Sequence, residues 1–269
     1  MIDVHCHILP GIDDGPATLE EALAMCRMAV ADGIQSIVAT PHCYHGKYPN
    51  DEASILPVYK DLRDRVREEG ILLDLHVAGD VHIHPELPSF LKKNECLYLG
   101  GRFVLVEIPS DVVPRFIGEF LFNMRISGFI PVLTHPERNR TVQSNPQILD
   151  EWIAGGGLTQ ITAMSLTGDF GIEAKQTAFD LIDRGWVHCL ATDAHSTGWR
   201  KPILSNALRS LIKYMGKEGA NLLVKENPRR LISGYDPLPI FPRSREYGKS
   251  LKIHKLKKYI RLPGFLSSR

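Results

Sequence analysis

The first sixteen residues, MIDVHCHILPGIDDGP, carry two histidines and three aspartates. Asp3, His5 and His7 are two apart, and side chains two apart in a strand point to the same face. Asp13 and Asp14 follow beyond Gly11, in a segment that reads as a loop. Imidazole and carboxylate bind zinc, manganese and iron well, so His5 and His7 alone are either half of a metal site or an ordinary strand end. The rest of the chain decides between them. Nearly every strand candidate ends in an ionisable residue: His5 and His7, His42, Asp80, Glu107, His135, then Asp193 and His195. In a barrel of parallel strands those ends converge on the face that carries active sites. Core packing gives no reason for polar groups to recur there, so the joint pattern favours a metal centre.

The elements that must hold these residues are legible as an alternation. IDVH is followed by a helical TLEEALAMCRMAVADG, in which Thr18 and Glu21 form a capping-box pattern and Gly33 can end the helix. QSIVATPH, a helical NDEASILPVYKDLRDRVREEG and ILLDLHVAGD come next. Beyond a less regular stretch lie RFVLVEIP, a helix near 112–127, FIPVLTH, a helix near 146–154, LTQIT, a helix near 171–185 and VHCLATDAH. Helices near 203–214 and 216–225 close the body. Such alternation implies parallel strands with helical crossovers, and there is no internal repeat.

At 269 residues the chain suits one large α/β domain or two small ones. With 43% hydrophobic and 23% charged residues it has the composition of an ordinary globular protein. No apolar run is long enough to span a membrane, and the N-terminus lacks the basic and apolar regions of a signal peptide. Five scattered cysteines (Cys6, Cys26, Cys43, Cys96, Cys189), none in CxxC, point to reduced thiols and a cytoplasmic location. The net charge of +1 conceals an asymmetry: residues 243–269 hold nine Lys or Arg and one Glu, leaving 23 basic against 30 acidic residues in the body. An acidic body argues against nucleic acid as the partner.

These residues together resemble the PHP (polymerase and histidinol phosphatase) superfamily. Within it the sequence is similar to the bacterial manganese-dependent protein-tyrosine phosphatases of capsule and exopolysaccharide loci, the CpsB/YwqE type. The resemblance rests on DVHCHILPGIDDGP at 3–16, TPH at 40–42, AGD at 78–80, VEI at 106–108, THPER at 134–138 and TDAH at 192–195. It covers about residues 1–235, implying a distorted (β/α)7 TIM-like barrel there and a basic extension over 236–269. It also implies three divalent metal ions, manganese with iron or zinc as alternatives, at the C-terminal face of the strands. Carried across residue by residue, it makes His5, His7, Asp14, His42, Asp80, Glu107, His135, Asp193 and His195 the ligands, and Arg138 and Arg200 the arginines that hold phosphate. One departure is Asp80, where the family usually has a glutamate expected to bridge two metals. Aspartate reaches one methylene less far, and His82 and His84 nearby are candidate extra ligands. Asp13 competes with Asp14, and only the resemblance favours Asp14.

A set of imidazoles and carboxylates without thiolate suits manganese, iron or zinc better than magnesium. The expected reaction is phosphomonoester hydrolysis by metal-activated hydroxide, with an arginine fork on the phosphate. Cys96-Leu-Tyr-Leu-Gly-Gly-Arg102 satisfies C-x5-R, the phosphate loop of thiolate phosphatases. Glu95 before the cysteine, bulky Leu97 to Leu99 and a strand after Arg102 argue against that chemistry. His45 reads as a loop residue, and His76 and His188 as ordinary strand histidines. Glu137 is either an orienter of an imidazole or an exposed loop carboxylate, and Asp3 either orients His5 or faces solvent.

The expected substrate is a phosphotyrosine protein, a membrane-associated tyrosine kinase that controls polysaccharide export. The competing readings are a histidinol-phosphate or other small-molecule phosphatase of the same fold, a nuclease, and an impaired module that binds phosphotyrosine without turnover. In the tail, Leu251, Ile253, Leu256, Tyr259 and Ile260 stand among six Lys or Arg close to helical spacing. Such a helix either lies peripherally on anionic membrane or packs on the barrel or on a partner subunit of a homo-oligomer.

Overall fold

The structure, a computed structural model, describes residues 1–44 and 46–240; His45 and the tail helix lie outside the described residues. Its strands are β1 (Ile2–Cys6), β2 (Ser36–Ala39), β3 (His42–Cys43), β4 (Asp74–Val77), β5 (Asp80–His82), β6 (Phe103–Glu107), β7 (Ile130–Thr134), β8 (Leu158–Thr162) and β9 (Cys189–Ala191). Every pairing between them is parallel, in the orders β1-β2-β4 and β3-β5-β6-β7-β8-β9. The two sheets join at both edges. Asp193 N–H donates to His5 O at 2.9 Å or less (2.8 Å), and His7 N–H to Ala194 O at 2.9 Å, beside a Cys6–Ala194 bridge. On the other side Ala78 N–H meets Ala39 O (2.9 Å) and Asp80 N–H meets Pro41 O (3.0 Å). The result is a distorted (β/α)7 TIM-like barrel in which β2 with β3, and β4 with β5, each make one interrupted stave.

The interruptions have local causes. QSIVATPH reads as one strand, but Pro41 has no N–H to give the ladder. ILLDLHVAGD breaks at the same level, where a Cβ on Gly79 would lie 2.7 Å from Cys43 Sγ. In β1 the register against β2 shifts between Asp3 and Cys6, a β-bulge. Val4 packs with Val38, Phe103, Leu105, Val132, Cys189 and Ala191 inside the barrel, while its neighbour His5 faces the site. Strict alternation would have put those two on opposite faces. In β6 the alternation is regular: Phe103 and Leu105 point inward, Val104 and Val106 meet the helices, and Glu107 continues the inner row.

The helices are α1 (Leu19–Ala31), α2 (Glu52–Glu68), α3 (Leu87–Leu91), α4 (Ile117–Ile126), α5 (Arg140–Ser144), α6 (Asp150–Ala154), α7 (Ala163–Thr167), α8 (Ile172–Asp183), α9 (Ser205–Asn221) and α10 (Asn227–Ile232). Thr18 caps α1 by accepting from Glu21 N–H (3.3 Å), whereas the Glu21 carboxylate accepts from Ala17 N–H (3.2 Å) rather than closing the box on Thr18. Asp51 and Ser54 make the reciprocal box on α2. Gly216 (φ 85°) breaks α9 where the sequence places a boundary between two helices. The less regular stretch contains α3 and a 3-10 turn, Glu95–Leu97. At the base, Gly100 abuts Gly234, and residues 236–240 fold back on the barrel through an Arg102–Asp236 pair (2.9 Å) and buried Ile240.

Candidate metal centre

The nine residues of the expected ligand set all come to the C-terminal mouth of the barrel. β1 brings His5 and, one step past its end, His7; β3 and β5 open on His42 and Asp80; β6 ends on Glu107. His135 follows β7 with φ 37°, and Asp193 follows β9 with φ 52°. Non-glycine residues in left-handed backbone cost about 1–3 kcal/mol and cluster at functional sites. The donor atoms fall into four overlapping groups, each within 4.8 Å: His7, Asp14, His42 and His195; His5, His7 and Asp193; His5, Asp80 and His135; His42, Asp80 and Glu107. Asp80 belongs to two of them, so its shorter side chain still reaches toward both His5 (3.7 Å) and His42 (3.3 Å).

Hydrogen bonds behind the cluster set which ring nitrogens face it. Gln160 Nε2 donates to Ile161 O (2.8 Å), which turns Gln160 Oε1 toward His5 Nδ1 (2.8 Å). An amide oxygen only accepts, so His5 carries its proton on Nδ1. His7 Nδ1 donates to Asp13 Oδ2 (2.8 Å), and His195 Nδ1 donates to Asp193 O (3.0 Å). Each ring therefore presents a bare Nε2 to the centre, and those of His5 and His7 lie 3.1 Å apart. Two lone pairs at that separation repel unless a cation lies against them. Asp80 Oδ2, Asp193 Oδ1 and His195 Nε2 are likewise buried and take part in no hydrogen bond. The donor set thus fits divalent metal ions.

Electrostatics hold His7, His135, Asp193 and Asp80 in ligating form. Burial, reinforced by His195, His42 and His5, holds His7 well below the usual imidazole range. Burial and Arg138 lower His135 to about 3. Burial alone would push Asp193 up, but Arg200, His5 and Arg138 outweigh it and hold the carboxyl well below its usual range. Burial likewise opposes the ionised form of Asp80, and the neighbouring His5, His42 and His135 prevail over it. Two donors are exceptions: burial and Asp80 raise Glu107 to about 8, and His42, although burial opposes its charge, is raised to about 9 by Asp80, Glu107 and Asp14. A crowd of carboxylates with too few cations is unfavourable to the last of them.

Arg138 and Arg200 both bond Asp193 Oδ2, and Arg200 Nε also meets Asp193 O at 3.2 Å. The two guanidinium groups therefore sit at the cluster's edge, leaving Asp193 Oδ1 for the centre. Several other sequence readings change. Asp13 is an orienter, accepting from His7, from Gly15 N–H (2.9 Å) and from His42 N–H (3.0 Å), while Asp14 offers its oxygen to the cluster. Asp3 neither faces solvent nor orients the His5 ring; it is buried and ties β1 to Thr192. Glu137 is fully buried and bonds Thr162 N–H (2.9 Å) and Ser165 Oγ (2.6 Å), so it anchors the turn after β7 to β8. His82 and His84 belong to none of the four groups.

Cys96 does not form a phosphate loop. Its N–H bonds Glu52 Oε2 (2.9 Å), burial and Glu52 push its thiol up to about 12, and Arg102 pairs with Asp236 at the barrel's base. Two contributors escaped the sequence reading. Gln160 was visible as the one amide inside the strand run LTQIT, and Thr134 donates to Asp80 Oδ1 at 3.2 Å.

A family model described as capsular polysaccharide synthesis, CpsB/CapC, matches residues 1–233. The chain is 36% identical over 233 residues to the tyrosine-protein phosphatase YwqE of Bacillus subtilis, covering 86% of this chain and 91% of that protein. It is 35% identical over 197 residues to the putative tyrosine-protein phosphatase CapC of Staphylococcus aureus, covering 73% and 77% respectively. A crystal structure from work on YwqE and Streptococcus pneumoniae CpsB, described as unique metal-dependent tyrosine phosphatases, superposes with a TM-score of 0.85 at 35% identity. That match covers 91% of this chain and 100% of the other. The phosphotriesterase homology protein of Escherichia coli shares the fold alone, with a TM-score of 0.56 at 12% identity. Matched from end to end of its barrel, the chain belongs to the CpsB/CapC capsular polysaccharide synthesis family.

Proposed function

We propose that the chain is a metal-dependent protein-tyrosine phosphatase that hydrolyses phosphotyrosine on a protein, a membrane-associated tyrosine kinase of capsular or exopolysaccharide synthesis. The observation that carries the reading is the pair of bare Nε2 atoms of His5 and His7, 3.1 Å apart among buried carboxylates, with two arginines at the rim. His5, His7, Asp14, His42, Asp80, Glu107, His135, Asp193 and His195 would hold three divalent ions, manganese by preference. The catalytic unit is residues 1–235, and residues 236–269 form a basic extension.

Bound at this centre, divalent metals would acidify a water and draw charge from the phosphoryl oxygens. The protein's own residues supply the rest. Arg138 and Arg200 turn their forks from Asp193 toward the phosphate, neutralising the charge on its outer oxygens. Asp13, Gln160 and the Asp193 carbonyl hold three imidazoles with Nε2 turned toward the centre. A phenolate is a good leaving group, so the site needs no strong acid over the ester oxygen.

The test is turnover of a phosphotyrosine peptide and of histidinol phosphate after chelation and readdition of Mn, Fe, Zn or Mg. Metal-restored hydrolysis of the peptide is expected, abolished in His135→Ala and retained in Cys96→Ser. Turnover of histidinol phosphate alone would move the function to small-molecule metabolism.

A further inference from the structure

The metal cluster and the arginines account for the phosphoryl group, but not for the group to which it is esterified. Two ordered loops at the mouth bear on that. Phe170 lies between α7 and α8, bracketed by Gly168 (φ 95°) and Gly171 (φ 96°). Asp169 N–H to Met164 O (3.0 Å) and Gly171 N–H to Gly168 O (3.0 Å) close that turn on itself. Trp199 lies in the loop after β9, where His195 N–H and Ser196 N–H both donate to Arg200 O (2.9 and 3.1 Å). A ligand-set residue and a phosphate-site arginine thus pin the two ends of the Trp199 loop.

The two rings meet edge to face, with centroids 5.4 Å apart and planes at 77°. The guanidinium of Arg138 covers Phe170 at 4.4 Å, on the way to Asp193. Arginine, phenyl and indole therefore form one continuous surface leading outward from the centre. Trp199 remains 65% exposed although it is held in place. A lone exposed aromatic needs no explanation, but this one extends a built surface whose inner end is the phosphate site.

Resting on the phosphatase reading above, we propose that Phe170 and Trp199 are the subsite for the substrate's aromatic ring. An aryl phosphate carries its ring one bridging oxygen from phosphorus. With phosphate on Arg138 and Arg200, that ring falls against the aromatic surface in an offset or edge-on contact. A phosphoserine side chain has no ring to place there and gains nothing from it. Selection of aryl over alkyl phosphates is then a matter of contact outside the metal centre.

Calorimetric affinities of benzylphosphonate and methylphosphonate for the metal-loaded full chain test this, since neither is hydrolysed. The wild type should prefer the benzyl ligand by about ten-fold or more. Trp199→Ala and Phe170→Leu should each shrink that ratio about five-fold, and Trp199→Phe should restore most of it. With phosphotyrosine peptide, the same variants should raise KM more than they lower kcat. An unchanged benzyl-to-methyl ratio in both variants, with both ligands still binding, overturns the proposal. If the wild type binds neither phosphonate and leaves the peptide intact under every metal, the phosphatase reading itself fails, and the ring subsite with it.

Discussion

Asp13 holds His7 Nδ1 and two backbone N–H groups, so removing its carboxylate should loosen an imidazole rather than delete a ligand. Asp13→Ala should weaken metal binding by about 10–100-fold in chelator competition while the fold persists; unchanged affinity would argue that His7 is positioned by packing alone. The sequence shows Asp13 and Asp14 side by side and offers no way to rank them, because only the path of the loop decides which carboxylate turns inward. Burial was equally illegible for Asp3 and Glu137, each of which proved to be a brace between strand ends. His188 makes a pH prediction away from the centre. Its Nδ1 accepts from Thr159 N–H (3.0 Å), and burial lowers it to about 4 from the ordinary 6.5. The unfolded chain therefore takes up this proton first as pH falls, so the stability is fully present above about 6.5 and is lost on the way down to about 4. Between pH 7 and pH 5 the metal-free protein should lose about 2 kcal/mol on this account. His188→Asn, which keeps an acceptor near Nδ1, should lose correspondingly less in urea titrations at the two pH values.

Among the elements, the strands and longer helices were readable because hydrophobic period and capping residues agree with the tertiary fold. Most of the candidate ligand positions were readable for the same reason, since they close strand-like runs of the sequence; Asp14, in a loop, rested on the resemblance alone. What escaped was the breaking of two staves, which depends on Pro41 and on how closely Gly79 approaches Cys43, and the bulge that turns His5 inward beside Val4. No local pattern encodes a bulge, because the partner strand defines it. The base of the barrel depends on a similar closeness. A Cβ on Gly100 (φ 54°) would lie 2.2 Å from Gly234 N and 2.5 Å from Leu231 O, both backbone atoms. Gly100→Ala should therefore cost about 2 kcal/mol or more by displacing the end of α10, seen as a lower Tm. Since the base is at the opposite end from the mouth, turnover per folded molecule should survive; its loss would mean that α10 and the site are coupled.

At the scale of the whole molecule, the nine candidate ligands come from every stave, or the loop after it, except β8, which sends Gln160 instead. A metal bound there ties the strand ends together in the folded state only. At a hundred times its dissociation constant, each ion adds about 2.7 kcal/mol. Chelation should lower Tm by roughly 5–10 °C per strongly bound ion lost, and readdition should restore it; an unmoved Tm would mean that the folded chain binds metal no more tightly than the unfolded one. The seam where β1 meets Ala194 has a further consequence for a chain made from one end to the other. His5 and His7 leave the ribosome first, but the carbonyl and amide groups that fix them belong to residues 193–194 and arrive nearly two hundred residues later. A nascent chain halted just before that point has seven of the nine candidate ligands but no closing strand, so the centre cannot assemble until Asp193 and His195 have emerged.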